Sequence, residues 1–401
     1  MPAIRVLFLL VGAIIGVFYP FIPAILDDRG FSPFQVGLTT AASAVAFTVA
    51  VATWGHLGDA VVGRAAALRM GVIGSTIAVL ALLLDVPPIG VAILIVVFIA
   101  FEASFAPLSD ALAVNALAGA PRAYARVRLL ASLGFALASI GAGWLYDQAG
   151  YRPASILWAV AAVALVVTIR AVPDVAARFR DQQAPPDAEA ISIRRPRRGG
   201  TFGETLRRAP RLRGLLLGLG LVHVGIICGF TFLGLRLLDL GAGASGIALS
   251  AGISALAEIP AIFVFPRLAA WIGIRALLVG GIVLYGLVMV SWAFLDDPTL
   301  IVASRLASGV AFAGITVGAV MTIARLVPAE LQGTGQALYQ TVGFGLAAIV
   351  ANAVGGVVFG AAGPMPLFLG CAVLAGSGAV IAWRSIPPLP STARMAAWQE
   401  G

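Results

Sequence analysis

Residues 4–26 read IRVLFLLVGAIIGVFYPFIPAIL, an apolar run whose one charge is Arg5. A helix needs about 20 apolar residues to cross a bilayer, so this run is long enough to span one. Similar runs follow at 34–57, 66–85, 88–116, 125–147 and 152–171. After a polar gap they resume at 213–238, 243–266, 273–295, 299–325, 333–361 and 364–385. Twelve helices are expected, because a membrane barrel would be written in short alternating segments. The fold class is therefore an all-α membrane protein. Composition agrees: 60% of the 401 residues are hydrophobic and only 11% are charged, against roughly 25% charged in a soluble domain. That balance excludes a soluble enzyme, a nucleic-acid binder and a single-pass receptor. The 47 glycines suit close helix packing, since small residues let helices approach where no hydrophobic force drives them together. The start is read as a retained first span, because no small-residue cleavage site follows it.

The net charge of +8 is an orientation signal. All 26 basic residues are arginine, and 22 of them fall on the side that holds both termini, eleven between Arg170 and Arg213. Only Arg29, Arg152, Arg236 and Arg305 fall elsewhere. Positive residues stay inside, so both termini are expected in the cytoplasm of a cytoplasmic-membrane protein. The polar stretch 172–212 reads as a basic linker with a short amphipathic helix around residues 205–213. It separates residues 1–171 from 213–401, six spans each. Leu133-Gly-Phe-Ala-Leu-Ala-Ser-Ile140 recurs as Val342-Gly-Phe-Gly-Leu-Ala-Ala-Ile349, and Gly143-Trp-Leu-Tyr-Asp-Gln-Ala-Gly150 is echoed by Gly356-Val-Val-Phe-Gly-Ala-Ala-Gly363. Span five thus corresponds to span eleven, and a repeated pair of bundles suggests a transporter with its site between them.

Between spans two and three stands Gly55-His-Leu-Gly-Asp59-Ala-Val-Val-Gly63-Arg64. This resembles the loop signature of the major facilitator superfamily, with a turn one residue longer and Ala60 in place of the usual basic residue. Pro107-Leu-Ser-Asp-Ala-Leu112, Tyr124-Ala-Arg-Val-Arg-Leu129 with Gly134, and Ala255-Leu-Ala-Glu258-Ile-Pro260 resemble the branch of phenylpropionate, nucleoside and lactose proton symporters. The resemblance implies twelve helices in two pseudo-symmetric six-helix bundles and alternating access. Gly55, Asp59, Gly63 and Arg64 are then a cytoplasmic gate, whose physical basis is a breakable contact of Asp59 with Arg64, Arg122 or a helix N-terminus. A loop-stabilising ion pair is the plainer reading.

An ionisable residue near the bilayer centre costs about 2.5–3.5 kcal/mol on insertion scales, so one found there points to function. Glu102 and Glu258 lie midway through spans four and eight, where a carboxyl can pick up and release a proton. Asp110, with Arg126 and Arg128, reads as a structural ion pair or a transport element. His223 is a proton relay or a bonded packing residue. Arg305 is the better candidate to attract an anion, since Arg236 can snorkel to the interface. Tyr19 precedes the prolines of span one, and Gln336 and Gln340 share one face of span eleven. The cysteines, Cys228 and Cys371, both lie in apolar runs and offer neither a disulfide framework nor a metal-ligand spacing. No cofactor or metal is expected, and no nucleophile–base pair suggests an enzyme. The expected function is proton-coupled symport of a small organic solute by a monomer in the lipid bilayer, with no nucleic acid partner. The alternatives are proton-driven efflux of lipophilic compounds and a non-transporting sensor on the same fold.

Overall fold

The computed structural model describes residues 2–117, 121–172 and 201–387, without the side chains of Pro121, Arg122 and Ala125. The Arg122 side chain, the basic cluster 194–198 and most of the expected linker 172–212 therefore lie outside the described residues. Among the described residues all regular structure is helical. Twelve helices are long and apolar enough to cross a membrane: Pro2–Asp28, Pro33–Val61, Arg64–Ala81, Pro88–Ala116, Arg126–Ala149, Arg152–Arg170, Pro210–Asp239, Gly243–Ile272, Ile274–Phe294, Pro298–Leu326, Ala329–Ala362 and Pro364–Ser385. The chain is an integral membrane protein.

Proline opens many of these helices. Pro33, Pro88, Pro298 and Pro364 occupy the first turn of spans two, four, ten and twelve, where the missing N–H is not needed and φ is already helical. Span two adds a capping box, in which Ser32 accepts from the Gln35 N–H and Gln35 accepts from the Ser32 N–H. Proline also breaks helices. Pro107 has no N–H for the carbonyl of Ala103, and its ring crowds that carbonyl. Span four, Pro88–Ala116 as expected, accordingly divides into Pro88–Glu102 and Phe105–Ala116. Span one gives way to a 3₁₀ turn at Tyr19–Phe21 for the same reason: Pro23 cannot donate to Tyr19, so Ile22 does.

The described residues form two compact units. One holds those of 1–191 with 234–255, the other those of 192–233 with 256–401. In the first, span one lies directly on span five. A Cβ at Gly12 or Gly134 would overlap a backbone carbonyl oxygen, that of Ala131 or Leu9. The Tyr146 hydroxyl donates to the Val17 carbonyl at 2.6 Å beside the break in span one. The ends of spans seven and eight join this unit through Asp147, whose carboxylate accepts from the N–H groups of Ala244 (2.5 Å) and Ser245 (3.2 Å). An acid on a helix N-terminus is favoured by both hydrogen bonding and the helix dipole. In the second unit, span seven meets span twelve at Gly218 and Gly378, where a Cβ on either would come within 2.8 Å of the other's carbonyl oxygen.

The internal repeat is visible in the backbone. Gly30 and Gly241 have φ of 79° and 78°, Gly63 and Gly273 have 91° and 89°, and Gly150 and Gly363 have 67° and 82°. Each pair ends or begins equivalent helices some 210 residues apart. Gly63 is required by its dihedrals, φ 91° and ψ 150°, a region costing about 1–3 kcal/mol for any other residue. Gly55 is not so constrained: a Cβ there meets nothing within 4 Å. Gly63→Ala is expected to lower the melting temperature by about 2–8 °C while Gly55→Ala leaves it unchanged. Thermal unfolding of the purified variants checks this, and equal effects would refute it. The short helix before span seven runs Phe202–Arg208, not 205–213, because Thr201 caps it and Pro210 starts the next helix. Its Arg208 pairs with Glu330 at 2.6 Å.

Candidate functional site

In the first unit the polar groups gather where the helices break. Glu102 is the last residue before the interruption in span four and is buried, 8% exposed. Tyr19, at the break in span one, lies within electrostatic reach of it and is half-exposed. Non-helical backbone at membrane depth is tolerated only where it is buried in protein or lines a water-filled cavity, and at both breaks tighter turns re-bond part of it. Neighbouring aromatics pack: Trp54 donates to the Ala100 carbonyl at 2.8 Å, and Phe105 stacks on the fully buried Trp158.

Two turns further along span four is a cavity of about 200 Å³. Phe8, Val11, Ile15 and Phe135 give it apolar walls, and Ser109, Asp110, Arg128 and Ser132 give it polar groups. Asp110 is flanked by Arg128 and by the Tyr124 hydroxyl. Its Oδ1 and the Ser109 Oγ are buried with no hydrogen-bond partner. A buried orphan of this kind costs about 1–3 kcal/mol. The ion pair expected for Asp110 is not closed: Arg126 and Arg128 are exposed, and no direct bond within 4.0 Å joins either to Asp110.

In the second unit, Arg305 on span ten is 2% exposed. Its guanidinium carbon lies 5.4 Å from the ring of Trp292 and 5.8 Å from that of Phe230, within cation–π range. Arg305 donates to the buried Tyr285 hydroxyl, which also feels the charge of Glu258 on span eight. Trp292 is itself held by Ser304, Nε1 to Oγ 2.8 Å. The structure thus brings Glu258 and Arg305 to one buried tyrosine. Tyr285, Trp292 and Phe230 were not legible as site residues, because aromatic residues in an apolar helix carry no signal of which way they face.

His223 is completely buried. Its Nδ1 lies 2.7 Å from the Leu219 carbonyl and its Nε2 lies 3.2 Å from the Tyr339 hydroxyl. A carbonyl only accepts, so Nδ1 carries a proton, and in the neutral ring Nε2 then accepts from the Tyr339 hydroxyl. The ring packs on Gly343, in the π-helical turn Thr341–Leu346 of span eleven. Gln336 donates to the Val320 carbonyl (3.1 Å) and Gln332, one turn earlier, to that of Ala324 (2.9 Å), tying span eleven to span ten. Gln340 is exposed. In the turn after span two, Arg64 Nε lies 2.6 Å from Asp59 Oδ1, with Asp59 59% exposed. An ion pair that open contributes about 0–1 kcal/mol. Among the described residues no three His, Cys, Asp or Glu side chains come together as metal ligands.

The model of the MFS_1 like family matches residues 3–370. A maltose permease of Geobacillus stearothermophilus is 29% identical over 268 residues, 66% of this chain, and the chain spans 63% of that relative's length. Two solved structures of the nucleoside transporter NupG, one of them a mutant, superpose with TM-scores of 0.77 and 0.76 at 16% identity. Each match covers at least 99% of both chains, and at that identity it establishes the fold alone. The chain belongs to the MFS_1 like family and has the twelve-helix fold of the major facilitator superfamily.

Proposed function

We propose that the protein is a secondary active transporter that moves a small organic solute across the cytoplasmic membrane by alternating access, coupled to protons in symport. The observation that carries this reading is the cavity beside Asp110, where two orphaned buried acceptors and an arginine share one apolar-walled space. Such groups suit a hydroxyl-bearing solute with a flat or apolar face: the carboxylate accepts from hydroxyls, Arg128 donates, and Phe8 and Phe135 cover the rest. A maltose permease and a nucleoside transporter among the similar proteins support solutes of that kind. Glu102 and Glu258 are the proton acceptors in this reading. Arg305 supplies the fixed positive charge beside Glu258, and Tyr19 shares the break next to Glu102. His223, Gln336 and Gln340 line or brace the path. Asp59 and Arg64 form the cytoplasmic gate on the turn set by Gly63. Residues 1–171 and 213–401 act as the two bundles, with both termini cytoplasmic and the protein working as a monomer.

The cavity is tested by uptake of labelled nucleosides, disaccharides and aromatic acids into vesicles. Arg128→Ala and Asp110→Asn should each raise KM about 10–100-fold, the loss of one charge-assisted hydrogen bond. Unchanged KM in both variants would remove the cavity from the site. Proton-driven export of lipophilic compounds uses the same acids, and the direction of movement under an imposed pH gradient separates the two.

A further inference from the structure

The chain has two cysteines, 143 positions apart, and the fold brings both to one point. Cys228 on span seven and Cys371 on span twelve are 2% and 3% exposed, not joined by a disulfide, and near enough for the two thiols to influence one another. The Cys228 thiol also donates to the Ala351 carbonyl at 3.5 Å. Glycines keep the ground clear. A Cβ at Gly355 would sit 3.2 Å from Cys228 Sγ. A Cβ at Gly225 would sit 3.2 Å from the Cys371 Cβ and 3.0 Å from Met289 Sδ on span nine. Span seven therefore meets Cys371 of span twelve and Met289 of span nine about one turn from Cys228, all within the second unit.

We propose that Cys228 and Cys371 form a two-thiol site for a soft, two-coordinate metal ion, of the kind represented by Cu(I), Ag(I) and Hg(II), with Met289 as a third sulfur neighbour. Thiolate and thioether ligands select soft ions over hard, oxygen-preferring ones and nitrogen-preferring ones. Charge favours the same class. Hg(II) displaces one proton from each thiol: two S–H bonds break, two S–Hg bonds form, both protons leave to solvent, and nothing is oxidised. The product is neutral. A monovalent ion reaches neutrality by displacing one proton. A buried net charge would be costly in this environment, and neither product has one. The bound ion would join span seven to span twelve. This site is independent of the transport reading above.

The test uses the purified full chain in detergent, titrated with mercuric chloride and, separately, with a silver salt. Expected for Hg(II) are one ion and two released protons per chain, and a melting temperature raised by roughly 3–5 °C. For Ag(I), one released proton is expected. Dithiothreitol should reverse both. C228S, C228A, C371S and C371A should each lose the two-proton release and bind Hg(II) at least about tenfold more weakly, while M289L keeps the stoichiometry. The metal-free melting temperature identifies any variant that has simply misfolded, and the alanine and serine forms back each other up. Two Hg(II) ions per chain, one on each thiol, would overturn the proposal, as would two-proton release surviving in a folded single-cysteine variant or an unchanged melting temperature in the wild type.

Discussion

Glu102→Gln is expected to abolish proton-driven accumulation while sparing exchange of labelled solute across the membrane. Glutamine has nearly the volume of glutamate and can make similar hydrogen bonds, so the break in span four can keep its shape. It cannot take up a proton. Glu102 is buried at the end of the helix Pro88–Glu102, with Tyr19 nearby across the two helix breaks. A carboxyl in that position is costly to keep charged in a bilayer, which is the physical reason to assign it a protonation cycle. The accumulation ratio should fall to the level set by exchange alone, a loss of about tenfold or more under a gradient of one pH unit. Exchange is read by preloading vesicles with unlabelled solute. Undiminished accumulation by Glu102→Gln would take this acid out of the coupling step. Glu258→Gln is the parallel test in the second unit.

Gly12→Ala should be the most damaging single methyl group in the first unit. Its Cβ would overlap the carbonyl oxygen of Ala131 and crowd the Ala131 backbone. A flexible side chain could yield, but backbone inside a helix cannot without moving the helix. Spans one and five would have to separate along the face that also holds Gly16, Gly134 and the Tyr146–Val17 bond. A cost of at least about 3 kcal/mol is expected, seen as loss of monodisperse protein on size exclusion and a large fall in melting temperature. Gly141→Ala is the control on the same span five, since a Cβ there meets nothing within 4 Å. If both variants behave alike, the close crossing of spans one and five is not what the glycines provide.

Much of this fold could be read from the residues, and for identifiable reasons. The apolar runs gave twelve spans with ends within a few residues, because hydrocarbon thickness fixes their length. The repeat was visible in Gly150 and Gly363 and is extended by two further glycine pairs, Gly30 with Gly241 and Gly63 with Gly273, matched in φ. The break in span four was also written in the chain, in Pro107, but the continuous apolar run hid it. What a helix periodicity does not carry is which neighbour a buried group meets. Arg305 could be marked as unusual, yet its contact with Tyr285, Trp292 and Phe230 depends on how spans seven, nine and ten pack. Gln336 was readable as polar, but its bond to the Val320 carbonyl, paired with that of Gln332 to Ala324, turns on the crossing of spans ten and eleven. Cys228 and Cys371 looked unrelated for the same reason. Their 143-residue separation says nothing about spans seven and twelve lying together.

Proton-coupled movement of a small solute is tested most directly in vesicles holding the wild-type chain. Labelled nucleosides, disaccharides and aromatic acids are offered outside, with the interior made alkaline relative to the exterior. At least one solute is predicted to accumulate above its outside concentration, to alkalinise the outside medium as it enters, and to leak back when a protonophore is added. No solute moving with protons, in either direction, would contradict the account.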